Sequence, residues 1–86
     1  MKHAGSQALD RLEPLLGDIR KIATLKERSR GVFYRGSRAF LHFHEHGAEL
    51  FADMRVGEDF ERFAATTDRE RAAFFKALKT SLRDQP

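Results

Sequence analysis

A chain of 86 residues has room for one hydrophobic core of two packed layers and excludes a second domain. Its 41% apolar and 34% charged residues, with eight Phe and one Tyr, exclude a disordered polymer, and the absence of cysteine excludes disulfides, thiolate-bound metal clusters and thiol nucleophiles. The net charge of +3 is modest but uneven: Arg20, Lys21, Lys26, Arg28, Arg30, Arg35 and Arg38 face one acid, Glu27, whereas Glu45, Glu49, Asp53, Glu58, Asp59 and Glu61 outweigh Arg55 and Arg62.

Residues 1–6 carry no apolar leader and are expected as a disordered tail of a single domain spanning 1–86. No run approaches the roughly 20 apolar residues of a membrane span, so a cytoplasmic chain with no membrane partner is expected. Leu9, Leu12, Leu16, Ile19 and Ala23 recur at spacings of three and four, with Leu15 and Ile22 widening the stripe, which predicts an amphipathic helix from about Gln7 to Ile22. Pro14 falls inside it. Either the helix bends there, or it begins near Glu13 with Pro14 in its first turn.

From Gly31 the apolar period changes to two, and turn residues separate three runs, Val32 to Arg35, Arg38 to Glu45 and Glu49 to Val56. Turns at Gly36-Ser37 and His46-Gly47 would set Tyr34 opposite Ala39 and Phe43 opposite Leu50. That register aims Val32, Tyr34, Ala39, Leu41, Phe43, Leu50, Ala52 and Met54 at the core. It leaves Phe33, Phe40, His42, His44, Glu49, Phe51, Asp53 and Arg55 on the other face, with Phe33 opposite Phe40 and His44 opposite Glu49. Residues 58–66 fit either a short helix or a fourth strand. Thr67-Asp68-Arg69-Glu70 is a capping box that starts a second helix, with Ala72, Phe75, Leu78 and Leu82 as its buried stripe and Phe74 beside it. The expected fold is α+β, an antiparallel sheet of three or four strands with N- and C-terminal helices packed on one face.

Three functional readings attach to the open face and its flanks. Phe33, Phe40 and Phe51, with His42 among them, would form an apolar interface for a homodimer or another protein partner unless part of the chain covers them. His42 and His44 point to one side of a strand, and Glu49 on the next strand would complete a ligand set for a zinc-like or iron-like ion; equally, they are half-buried amphipathic residues with ordinary hydrogen bonds. Lys26, Arg28, Arg30, Arg35 and Arg38, with Phe33 and Tyr34 interleaved, would bind nucleic acid weakly through phosphates and base stacking. No phosphate loop, nucleophile elbow or paired acids appear; His42 with Asp53 would make a base and its orienting carboxylate, a pairing that on an open strand face is ordinarily structural.

Two resemblances rest on short motifs. Gly36, His42, His44 and Glu49 have the spacing of the first metal motif of the cupin family, although the rest of the chain lacks the second motif and the strands that a closed cupin barrel requires. Gly31-Val32-Phe33-Tyr34-Arg35-Gly36-Ser37-Arg38-Ala39-Phe40-Leu41 resembles the opening of MmcQ/YjbR-like bacterial proteins, which implies an open antiparallel sheet with helices on one side and a role in DNA binding. The His-rich run 42–46 and the missing C-terminal half depart from that pattern. The expectation taken forward is a small bacterial binding or association module without catalytic activity or cofactor, using its open sheet face.

Overall fold

The computed structural model describes residues 1–84, and the chain follows the order β1 (Lys2–His3), α1 (Ser6–Arg20), β2 (Lys26–Ser29), β3 (Val32–Arg35), β4 (Arg38–His46), β5 (Glu49–Val56), β6 (Asp59–Ala64) and α2 (Asp68–Asp84). The strands form one antiparallel sheet in the order β2-β3-β4-β5-β6, and β1 pairs with the half of β4 that β3 leaves uncovered. Both helices pack on one face, giving the α+β architecture expected with a larger sheet. Among the described residues no helix is long and apolar enough to cross a membrane.

Helix α1 buries Ala8, Leu9, Leu12, Leu15, Leu16 and Ile19 and runs unbroken through Pro14. Pro14 is exposed, so the carbonyl that loses its N–H partner faces water and the cost is tolerable. The start of α1 is tied to the sheet. Glu45 on β4 accepts a hydrogen bond from the Gly5 N–H at 2.6 Å, and the Ala4 N–H donates to the Phe43 carbonyl at 3.0 Å. Residues 1–6 therefore do not form a free tail: Lys2 pairs with Glu45 and His3 with His44.

Gly31 sits at φ +80° in the tight turn joining β2 to β3, with its backbone N–H bound by Glu27 at 2.9 Å. A Cβ there would meet Leu9 Cδ2 at 2.7 Å, so the hairpin presses directly on α1. Between β3 and β4 the partners are Tyr34 with Ala39 and Phe33 with Leu41, which leaves Phe40 as an extra residue in a bulge. The bulge reverses the expected facing of β3. Phe33 enters the core with no exposed surface, while Val32 and Tyr34 turn to the other side and remain only partly buried.

The β4–β5 turn falls at Gly47-Ala48 instead of His46-Gly47, so Phe43 lies opposite Ala52 and His44 opposite Phe51. A shift of two keeps every side chain on its expected face. Leu41, Phe43, Leu50, Ala52 and Met54 accordingly meet the helices. Residues 59–64 form strand β6, the strand alternative for 58–66, and α2 begins at the capping box: Glu70 N–H donates to Thr67 Oγ1 at 3.1 Å, and Glu70 Oε1 accepts from the Thr67 N–H at 3.0 Å. Its buried line runs through Phe74 and Leu78, with Phe75 and Leu82 at the margin and Ala72 exposed, a rotation away from the expected stripe.

Candidate metal centre

The face turned away from the helices holds a histidine cluster. Alternation along β4 presents His42 and His44 side by side, and the pairing of β1 with β4 brings His3 against them. Ring centroids lie 4.5 Å apart for His3 and His44, 5.0 Å for His42 and His44, and 5.8 Å for His3 and His42. One nitrogen from each of the three lies within 4.8 Å of the others. Four-coordinate zinc sets neighbouring nitrogens about 3.3 Å apart, so the rings need to close by up to about 1.5 Å. His3, exposed on a two-residue edge strand, has the freedom to do so.

Behind the rings lies a buried carboxylate. Asp53 is 5% exposed, and Arg62 grips it in a two-point fork, Nε to Oδ1 at 2.8 Å and Nη2 to Oδ2 at 2.7 Å. The Arg62 guanidinium holds the Asp53 carboxyl below its ordinary range even though burial opposes this, so Asp53 is an anion beneath the histidines. Asp53 Oδ2 also lies 2.8 Å from His44 Nδ1, within hydrogen-bond distance of that nitrogen when it carries the ring proton. The base-and-carboxylate pairing expected between His42 and Asp53 falls instead on His44, although His42 and Asp53 are backbone partners.

His42 Nδ1 is buried and has no hydrogen-bond partner among the described residues. Its ring lies tilted against Phe60, with centroids 4.7 Å apart, and burial, with His44 close beside it, pushes its pKa below the ordinary 6.5. Burial likewise lowers His44, with Asp53 pulling the other way. Both rings are neutral at neutral pH, which is the form that ligates a metal ion.

The expected ligand Glu49 lies outside the cluster, paired with exposed His46 at the far end of β5, so His3 takes the third place. Of the aromatic interface residues, Phe33 is in the core and Phe40 is 3% exposed, covered by Arg35, whose guanidinium sits 5.9 Å from the ring. Phe51 is partly buried beside Arg62, and Phe60, which sequence reasoning did not place, is the exposed aromatic of this face at 39%. The apolar surface on which a homodimer was expected is thus largely covered from within the chain. The basic set is divided too: Arg30 is bound to Asp10 and Glu13 of α1, each at 2.9 Å, whereas Arg28 stacks on Tyr34 at 4.7 Å and Lys26 is exposed.

No protein-family model, no curated protein and no solved structure matches the chain. Function has to come from the site. Sequence reasoning missed His3 because two residues of strand carry no periodicity, and missed the Asp53–Arg62 fork because residues 58–66 were unassigned. A signal for the second was present in Val56-Gly57-Glu58-Asp59: a two-residue turn at Gly57-Glu58, with Gly57 at φ +66°, places Arg62 opposite Asp53.

Proposed function

We propose that the chain is a small non-catalytic binding module whose open sheet face takes one borderline transition-metal ion, zinc or nickel, on His3, His42 and His44. The observation that carries this reading is the convergence of three imidazoles whose ligand nitrogens lie within 4.8 Å, one of them, His42, with a buried Nδ1 that no donor or acceptor satisfies. Buried polar atoms without partners are uncommon in folded proteins and call for a reason. An imidazole triad suits zinc, copper, iron or nickel, and the Asp53 anion behind His44 corresponds to the carboxylate that commonly stands behind a ligating histidine. Three protein ligands leave a fourth position open to water or to an external group.

Tag-free protein, stripped with EDTA and dialysed, is titrated with zinc and with nickel in a calorimeter at neutral pH. One ion per chain is expected, with the heat abolished in His42→Ala and in His3→Ala. An absence of saturable heat in the wild type, or unchanged binding in a folded His3→Ala/His42→Ala double variant, would refute the proposal.

A further inference from the structure

At the other end of the same face, the turn joining β3 to β4 and the turn joining β5 to β6 close around a cavity of about 120 Å³ lined by Arg35, Arg38, Phe40, Arg55 and Gly57. Three guanidinium side chains share this small space. Arg35 and Arg38 are direct cross-strand partners flanking the Gly36-Ser37 turn, an arrangement that like charges oppose. The nearest acid is Glu58, 91% exposed at the side chain and 3.9 Å from Arg38; among the described residues no carboxylate pairs with Arg35. The cavity wall therefore carries more positive charge than its own acids neutralise.

Two of the three arginines, Arg55 and Arg35, are also held in place. Arg55 donates from Nε to the Ala39 carbonyl at 2.8 Å, reaches the Glu58 carbonyl at 3.5 Å, and lies 4.6 Å over the Phe60 ring. Arg35 rests against Phe40, the bulge residue at the cavity floor. Guanidinium groups over an apolar floor are suited to a multiply charged oxyanion, because Arg35 and Arg38 offer paired N–H donors and Arg55, anchored through Nε, loses little side-chain freedom on binding. The volume is below that of pockets for drug-sized ligands and admits a single tetrahedral group.

From this geometry we infer a binding site for a phosphate dianion, as inorganic phosphate or the end group of a phosphomonoester, formed by Arg35, Arg38 and Arg55. It is separate from the histidine cluster, with Phe60 standing between them and touching both His42 and Arg55.

The test is an amide ¹H–¹⁵N titration of the whole chain with sodium phosphate, with EDTA present so that no metal at the histidines contributes, and with ionic strength held constant by sodium chloride. Saturable shifts confined to residues 35–40 and 55–58 are expected. Arg35→Gln/Arg38→Gln should weaken the apparent affinity by at least tenfold, and Glu58→Gln should strengthen it by removing the competing carboxylate. If the double variant fails to fold, Arg35→Lys keeps the charge but loses the fork and should weaken binding several-fold. Phenyl phosphate tests the phosphomonoester source and should shift the same amides. Shifts that never saturate, or that persist unchanged in the folded double variant or in Arg35→Lys, overturn the site. Tighter binding of a single-stranded oligonucleotide without terminal phosphates, lost in the same variants, overturns it in favour of a nucleic-acid groove.

Discussion

Replacing Phe33 by alanine tests the feature that determines which face of the sheet is open. Phe33 has no exposed surface, and β3 is paired on both sides, by β2 and by β4, so the strand has little freedom to collapse into the space left. Phe→Ala in such a core costs about 3–5 kcal/mol, transfer and cavity terms together. A domain of this length has a total stability of roughly 4–13 kcal/mol, so the loss takes about a quarter of it or more. With a urea dependence of about 1 kcal/mol per molar for a small protein, the midpoint should fall by about 3 M or the variant should be unfolded in buffer. Far-UV circular dichroism in urea reads this without a tryptophan, which the chain lacks. Phe60→Ala is the internal control: at 39% exposure it should cost under about 1 kcal/mol. A Phe33→Ala midpoint close to wild type, or a Phe60→Ala loss equal to it, would show that the bulge at Phe40 does not turn Phe33 inward.

At a zinc concentration one hundred times the dissociation constant, binding should add about 2.7 kcal/mol of stability, raising the melting temperature by at least about 10 °C, a shift that His42→Ala should remove. Asp53→Asn leaves all three histidines in place but replaces the anion behind His44, and should weaken zinc binding by about 10- to 100-fold in the calorimeter. His42 and His44 have folded pKa values below the ordinary 6.5, so the stability linked to their neutral forms is complete above that value and is lost as pH falls through the depressed ones; urea midpoints in EDTA should drop from pH 7.5 to pH 5, and less steeply in His42→Phe. Gly31→Ala introduces a Cβ at φ +80° and 2.7 Å from Leu9, and should cost at least about 1–2 kcal/mol by the same urea assay.

The helices and the central strands were legible because their signals are local and strong. The Thr67–Glu70 box fixed the start of α2, and alternation in 41–43 and 50–54 fixed which side of β4 and β5 meets the helices. Even a wrong turn position, His46-Gly47 for Gly47-Ala48, left those faces intact because the error was an even number of residues. The bulge had no such protection. One extra residue at Phe40 inverts β3 relative to β4, and both Phe33 and Tyr34 are acceptable to either face, so composition alone does not report the inversion. The strand Lys26–Ser29 is wholly polar and escaped notice for the opposite reason: nothing in it alternates. For the site, His42 and His44 were legible from their spacing, whereas His3 joins them only through strand pairing across 41 positions of sequence.

The dependence of His3 on tertiary structure gives the candidate centre a property that a motif contained in one strand lacks. His42 and His44 are fixed by the middle of the sheet, while His3 is held by a two-residue strand, by the Ala4 N–H on the Phe43 carbonyl, and by Glu45, which caps Gly5 at the start of α1 and lies 4.0 Å from the Lys2 ammonium. A ligand set divided in this way couples metal affinity to docking of the N-terminus. An ion held by all three rings gains only in the docked state, so it stabilises that state by the same free energy that docking adds to its own binding. In the proposed centre Glu45 would act through the N-terminus without touching the ion. Weakening its hold on Gly5 raises the population in which His3 is away from β4, and the apparent affinity then falls in proportion to the docked fraction, while His42, His44 and Asp53 keep their geometry.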